Sequence, residues 1–380
     1  MSRNQTPESI IAGIMADLAP LKGVRVIAAM SGGVDSSVMA VLLKEAGLEV
    51  VGVFLNVWDY SRDDVSGHGS CCSLEDSYDA RRVADHIGIP FYAMDMREEF
   101  RRDVIDPFIQ DYETGRTPNP CERCNRFVKF GALLDAADQL EARFVATGHY
   151  VQRRDADDGI HVFKGSDNRK DQSYFLATTN RRQAERILFP VGNLEKDDTR
   201  DLARYFRLAT AEKHESQDIC FIPAGDRIAF LKREGATAGF MAGDIVDIEG
   251  NILGRHQGIA HFTLGQRKGL GLPDGPWHVV GLDGTTARVV VAHPEDALIS
   301  EVEVGDVSWI RQPHAGESIT AKVRYQMQPA GCSLQPEDGW EGDGFHLVFD
   351  KPQKPTAPGQ VAAFYAGDEL LGGGIVSKIC

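Results

Sequence analysis

The sequence predicts an α/β domain with a parallel sheet, then a small central domain and a C-terminal β-barrel. Three observations carry this. Over the first 210 or so residues, apolar β-branched runs alternate with helical patterns, which implies a parallel sheet covered by helices on both faces. Near residue 220 that alternation gives way to short β-rich runs between glycine-rich turns, and from about Glu301 to Cys380 the chain is all β and punctuated by Pro and Gly. Such spacing suggests a small barrel or sandwich. A chain of 380 residues accommodates two or three domains. Boundaries near 220 and 295 divide it into residues 1–220, 221–295 and 296–380.

The elements follow in order. The first 23 residues carry Glu8 and Asp17 and lack an unbroken apolar core, so a leading helix is expected rather than a secretion signal. Val24–Met30 reads as a buried strand and Ser36–Ala46 as a helix, with Gly47 where a C-cap glycine belongs. Val50–Val57 is the next strand. Ser73-Leu74-Glu75-Asp76 resembles a capping box with Asp in place of Glu, opening a helix to about Ile87 that Gly88 and Pro90 stop. Phe91–Met94 and Phe144–Thr147 are further strands, and Phe127–Asp138 has helical spacing. Beyond residue 240, strands are expected at Asp244–Ile248, Gly258–Thr263, Trp277–Leu282 and Ala287–Val291. In a parallel sheet, ligands bind at the C-terminal strand ends, so chemistry is expected in the loops after Met30, Val57, Met94 and Thr147.

Composition excludes several classes. With 42% hydrophobic and 26% charged residues, the chain is neither disordered nor fibrous. No run of about 18 apolar residues occurs, so no membrane-spanning helix is expected, and with no exporting segment the expected location is cytoplasmic. The net charge of −15 argues by itself against a nucleic-acid partner. Its distribution changes that reading. Residues 97–213 hold 21 of the 41 Lys and Arg and 21 of the 56 Asp and Glu. This neutral middle in an acidic protein is either ordinary solvated surface or a local polyanion site.

Ser31-Gly32-Gly33-Val34-Asp35-Ser36-Ser37 follows a strand and opens a helix. Paired glycines let backbone N–H groups approach phosphate oxygens, and the helix N-terminus adds partial positive charge. Asp35 would repel phosphate unless it holds a cation or an N–H, and it is assigned to Mg²⁺. The loop resembles that of the N-type ATP pyrophosphatases. That resemblance implies ATP cleavage between the α- and β-phosphates, with adenylation of a substrate oxygen, but leaves the acceptor open.

The seven cysteines are an odd number in a long chain, which argues against a disulfide framework. Thr117-Pro118-Asn119-Pro120-Cys121-Glu122-Arg123-Cys124-Asn125 is rigidified by two prolines. Its C-x-x-C pair suggests redox, metal or thiol chemistry, and Arg123 and Arg126 would stabilise a thiolate. Cys220, in Ser216-Gln217-Asp218-Ile219-Cys220-Phe221-Ile222, is either a packing cysteine or a partner of Cys124.

Together with Ala29–Ser37, these segments resemble the tRNA-specific 2-thiouridylases of the MnmA type. Gly115–Phe130, Ala146–Tyr150, Lys170–Leu176, Ser216–Ile222, Thr263–Gly271, Arg324–Gln326 and Ala357–Gln360 extend the match over almost the whole chain. The resemblance implies an adenine nucleotide alpha hydrolase-like fold and an ATP-dependent tRNA sulfurtransferase. O2 of the wobble uridine (position 34) is adenylated and replaced by sulfur, giving 2-thiouridine, AMP and pyrophosphate. Cys220 would carry the persulfide and Cys124 would act as nucleophile, leaving a Cys124–Cys220 disulfide to be reduced. Ala29, Met30, Ser31, Gly32, Gly33, Val34, Asp35, Ser36, Leu55 and Gly148 would bind ATP. Asn119, Pro120 and Cys121 would hold the flipped base. His149, Lys170, Asp171, Gln172, Arg324, Tyr325 and Gln360 would contact tRNA. The implied partners are tRNAs for Lys, Glu and Gln and a persulfide relay protein or cysteine desulfurase; oligomeric state is left open.

Cys121 departs from much of the family, which has Asp there as a suspected acid/base. A thiol of lowered pKa could substitute. Cys121, Cys124 and Cys220 could instead hold a [4Fe–4S] cluster, or Cys121 could be a spectator. Cys71-Cys72, Cys332 and Cys380 read as non-catalytic, and His68 with Cys71 and Cys72 has spacing unlike a usual zinc site. Two other classes compete with the sulfurtransferase: a small-molecule ligase that keeps the ATP loop, and a non-catalytic tRNA-binding protein.

Overall fold

Val26, Ile27 and Ala28 are wholly buried, and β1 (Arg25–Ala29) accordingly lies at the centre of a five-stranded parallel sheet. A strand flanked on both edges and covered on both faces must be apolar on both sides. The computed structural model describes residues 6–58, 74–214, 219–222, 226–336 and 344–380. The leading helix α1 (Pro7–Leu18) is capped by Thr6, whose hydroxyl accepts from Ser9 N. After β1 come α2 (Val34–Glu45), β2 (Glu49–Asn56), α3 (Leu74–Ile87) and β3 (Phe91–Asp95). Ser73, the expected cap of α3, lies outside the described residues, as do His68, Cys71 and Cys72.

A long helical passage follows: α4 (Arg97–Phe100), a π-helical stretch over Arg101–Ile105, and α5 (Asp106–Glu113). A second passage comprises α6 (Pro120–Arg123), a π-helical stretch over Cys124–Lys129, and α7 (Phe130–Gln139). β4 (Phe144–Ala146) returns to the sheet beside β1. A hairpin of β5 (Val151–Ala156) and β6 (Gly159–Lys164), then α8 (Arg181–Ala184), β7 (Ile187–Leu188) and α9 (Lys196–Tyr205), complete this unit. The sheet order is β3-β2-β1-β4-β7. Strand order reverses between β1 and β4, which is where an open α/β sheet forms its ligand crevice.

After α10 (Arg227–Arg233), four strands form a separate sheet in the order β10-β11-β8-β9: β8 (Gly243–Asp247), β9 (Ile252–His256), β10 (His278–Asp283) and β11 (Arg288–Ala292). The strand expected over Gly258–Thr263 is instead a 3₁₀ turn over Ile259–His261. Gly258 has a φ of +138°, and the turn buries Ile259, Ala260 and Phe262 as fully as a strand would. Burial alone therefore does not separate the two conformations.

The remaining strands are β12 (Ile299–Trp309), β13 (Ile319–Lys322), β14 (Ala330–Pro336), β15 (Phe345–Gln353), β16 (Val361–Ala366) and β17 (Glu369–Ile379). They run β12-β15-β14-β13-β16-β17, and β12 pairs again with β17, closing a six-stranded antiparallel barrel. The β5–β6 hairpin extends this sheet, with Phe163 opposite Glu369 and Val162 opposite Leu370. One apolar core is therefore shared. Phe130, Val151, Val162, Tyr174 and Ile187 of the α/β unit pack with Ile310, Val361, Ala363, Tyr365 and Leu370 of the barrel. No helix among the described residues is long and apolar enough to cross a membrane.

Candidate active site at the sheet switch point

The loop between β1 and α2 sits at the sheet's reversal. Gly32 holds a φ of +74°, and a Cβ there would lie 2.2 Å from the Asp76 carbonyl oxygen. Only glycine fits both demands. Ser31 N–H donates to Ser36 Oγ at 3.1 Å, and the Ser36 and Ser37 hydroxyls donate to Gly33 O at 3.1 and 2.8 Å. Gly33 caps α2 without a side chain, so the first N–H groups of this helix face the crevice as an anion site. Gly148, in the loop after β4, presses onto the same helix start: a Cβ there would lie 2.8 Å from Ser36 N. Ala29, Met30 and Leu55 line the strand ends below, with Met30 and Leu55 buried.

Asp35 is met by one protein cation and one phenol. Lys196 Nζ donates to its two oxygens at 2.7 and 2.8 Å, and Tyr150 OH donates to Oδ1 at 2.7 Å. Lys196 is 161 positions away and its side chain is only 7% exposed. Asp35 therefore does not present an open carboxylate to Mg²⁺, and no step below is routed through that ion.

The cysteine helix reaches the same edge by topology. The chain leaves β3 at the sheet's C-terminal edge and enters β4 from the opposite edge, so α7 runs back across the sheet. Its start lies beside the loop after β4: the Phe130 and His149 rings meet edge-on, 6.2 Å apart. Asn119 Oδ1 caps α6 by accepting from Glu122 N at 3.2 Å. Cys124 is 8% exposed and lies in the core of the α/β unit, whereas Cys121 is exposed. Two buried polar groups on this helix tie it to residues 173–178. Asn125 Nδ2 donates to Phe175 O at 3.1 Å, and Glu122 accepts from Thr178 Oγ1. Burial pushes the Glu122 carboxyl above the usual range.

The barrel also holds this segment. Thr117 N–H donates to Pro358 O at 2.8 Å, and Gln360 Nε2 donates to Thr117 O at 2.9 Å. Arg126 forms a two-pronged ion pair with Asp306 on β12. Cys220 is half-buried against the core that contains Cys124. Its neighbour Phe221 is fixed among Phe100, Phe108 and Phe230, with centroids 5.6, 5.3 and 5.2 Å away. Ser216, Gln217 and Asp218 lie outside the described residues.

The positions expected at the tRNA surface fall into two groups. Tyr325 is 38% exposed and packs against Phe175, with ring centroids 4.6 Å apart and planes tilted by 37°, and Lys322 lies 5.7 Å from its ring. Arg324 and Lys170 are also partly exposed. Asp171, by contrast, is buried and accepts from Gly165 N, Ser173 N and Ser173 Oγ at 3.1, 3.0 and 2.9 Å, so it shapes its own loop. Gln172 Oε1 accepts from Tyr150 N at 3.0 Å. His149 accepts or donates at Thr147 Oγ1, 3.0 Å away. Burial, with the Lys129 charge adding to it, pushes its imidazole down to about 3.

Sequence reasoning missed Lys196, Glu122, Asn125 and the Arg126–Asp306 pair. Only Glu122, a charge between two cysteines on a helix, left a visible signal. Among the described residues, one group of three possible metal ligands lies within 4.8 Å: Glu301, His346 and Cys380, on the barrel. Cys121, Cys124 and Cys220 form no such group; Cys121 is exposed and Cys124 buried on the same helix.

Three family models tile the chain: a tRNA methyl transferase HUP domain over residues 24–224, a tRNA methyl transferase PRC-barrel domain over 228–293, and an aminomethyltransferase beta-barrel domain over 299–376. The tRNA-specific 2-thiouridylase MnmA of Geobacter metallireducens is 46% identical over 357 residues, covering 92% of this chain and 96% of that protein. That of Magnetococcus marinus is 44% identical over 355 residues, covering 92% and 98%. Among solved structures, the NMN synthetase of Francisella tularensis aligns with 55% of this chain and 75% of its own, at 18% identity and a TM-score of 0.37. On the strength of the sequence relatives, the chain belongs to the tRNA-specific 2-thiouridylase family.

Proposed function

We propose that this protein is an ATP-dependent tRNA-uridine 2-sulfurtransferase. One observation carries the reading. The anion-binding start of α2 and the helix of Cys124 converge on the loop after β4, through Gly148 on one side and His149 on the other. A nucleotide phosphate at the one and a thiol on the other would then meet in one crevice.

ATP would bind across Ala29, Met30, Ser31, Gly32, Gly33, Val34, Asp35 and Ser36, with Leu55 and Gly148 bounding the nucleotide. The wobble uridine, unstacked from the anticodon loop, would be held by Asn119, Pro120 and Cys121. Adenylation of O2 turns a poor leaving group into AMP. The Cys220 persulfide then supplies sulfur, and Cys124 attacks its inner sulfur, leaving a Cys124–Cys220 disulfide. That step requires the Cα atoms within roughly 6 Å of each other. Lys170, Arg324 and Tyr325 would meet the tRNA by charge and stacking. Asp171, Gln172, His149 and Gln360 would act from behind, shaping the loops that touch it. The anion-binding loop fits ATP; the fit of Mg²⁺ at Asp35 would require displacing Lys196. We assign catalysis to residues 1–220, and tRNA contacts outside the crevice to 221–295 and 296–380. The proposed sulfur source is a persulfide relay protein or cysteine desulfurase, and the proposed location is the cytoplasm, where its substrate is. Single-turnover thiolation of a uridine-34 tRNA tests the reading. Cys124→Ser and Cys220→Ser should each abolish 2-thiouridine while ATP binding persists, and normal product from Cys220→Ser would end the persulfide assignment.

A further inference from the structure

We infer that Cys121 is a resolving thiol, which carries the disulfide left by sulfur transfer from the protein core to its surface. The inference rests on the reading above, in which each cycle ends with a Cys124–Cys220 disulfide. Cys124 is 8% exposed, and Cys220 is half-buried beside Phe221, itself enclosed by three phenylalanines. Disulfide exchange needs a thiolate to approach a sulfur directly, and a bulky reductant has poor access to a bond so placed. Cys121 does not share that enclosure. It is exposed and stands three positions before Cys124 on a continuous helical stretch. Side chains three apart on a helix have Cβ atoms about 5–6 Å apart, so a modest local adjustment brings the two sulfurs to bonding distance.

The exchange balances without an external oxidant. The Cys121 thiolate attacks Cys124 Sγ; a Cys121–Cys124 bond forms and the Cys124–Cys220 bond breaks. Cys220 leaves as a thiolate and takes up the proton that Cys121 lost. The new disulfide has one sulfur at the surface, where a dithiol reductant supplies the two electrons that reset both cysteines. Cys220 is meanwhile already a thiol, ready for the next persulfide. The barrel cysteines are poorly suited to the task. Burial, with the Asp350 charge adding to it, pushes the Cys332 thiol up to about 12, and Cys380 lies against Glu303 on the barrel.

The test uses the full-length enzyme, persulfidated by a cysteine desulfurase with cysteine and reacted once with ATP and tRNA without reductant. Thiols are then blocked with N-ethylmaleimide and disulfide peptides are mapped. Wild type should show Cys121 joined to Cys124, with Cys220 alkylated. Cys121→Ser should stop at Cys124–Cys220, and later turnovers with a dithiol reductant should slow at least tenfold relative to its first. Cys121→Asp, which restores a proton carrier but no thiol, should behave like Cys121→Ser. Wild-type turnover in Cys121→Asp, or a wild-type map containing only Cys124–Cys220, would overturn the inference and leave the sulfurtransferase reading standing. Full product from Cys220→Ser in the same single turnover would instead remove both.

Discussion

Ser31, Gly33, Ser36 and Ser37 bond to one another across no more than five positions, whereas the loop before Cys121 is held by Gln360 from 243 positions away. The anion loop is a local structure that would form wherever a strand meets this helix start. The thiol site is assembled: α6 and the stretch after it are fastened to residues 173–178, to β12 and to the 357–360 turn, while Cys220 arrives on a segment anchored by Phe221. The contrast teaches that nucleotide binding and sulfur chemistry should fail separately. Removing everything after residue 300 would not separate them cleanly, because it uncovers the core shared by Phe130, Val151 and Tyr174 with β16 and β17.

The sharpest break is expected at Gly148→Val. A side chain there collides with Ser36 N and displaces the start of α2. Displacement of about 1 Å costs roughly hundredfold in rate, so kcat/KM for ATP should fall by at least that much with little change in tRNA affinity. An unchanged KM and kcat for ATP would detach Gly148 from the nucleotide site.

Lys196→Met tests the long-range ion pair of the anion loop. Breaking a buried ion pair costs about 3–5 kcal/mol; because Asp35 is 31% exposed, about 2 kcal/mol is expected here. The urea midpoint should shift accordingly, and Asp35→Asn in the same chain should recover most of the loss. No recovery would mean that Lys196 acts through packing alone.

His149 stands between the two regions and makes a pH prediction. Its imidazole titrates near 3 when folded and near 6.5 when unfolded. Between those values the unfolded chain binds a proton that the folded chain does not, so stability falls as pH drops from about 6.5 toward 3. The contribution is at most about 1.4 kcal/mol per pH unit, an upper bound because part of the residue remains open to solvent. His149→Gln should flatten the stability–pH curve relative to wild type in that window. Identical slopes would place the proton elsewhere.

Gln360→Ala should give the smallest effect. Losing its hydrogen bond to Thr117 O costs about 1 kcal/mol, or roughly fivefold in kcat/KM for tRNA. If ATP binding falls equally, the two regions are coupled more tightly than their bonding suggests.

Much of this was legible in the amino-acid order. The β1–α2 loop, Gly47, the strands through β4 and the three-part division of character are written in short windows, where backbone hydrogen bonds and side-chain periodicity act over a few residues. The Cys124 and Cys220 segments were equally visible as motifs. The turn at Gly258 was not, because six apolar-rich residues satisfy a strand pattern and a buried 3₁₀ turn alike. Asp171 and Gln360 could be named as site positions, but that one is buried and the other braces a loop depends on neighbours 6 to 243 positions away.

By itself, then, the sequence determined the α/β unit and the β1–α2 loop and marked the two cysteine motifs, since each is a property of neighbouring residues. Tertiary structure alone decided that Asp35 is met by Lys196, that the β5–β6 hairpin joins the barrel, and that Cys121 is exposed while Cys124 is buried. Those outcomes depend on which distant surfaces pack together, and packing is selected by shape and burial over the whole chain rather than by any local run of side chains.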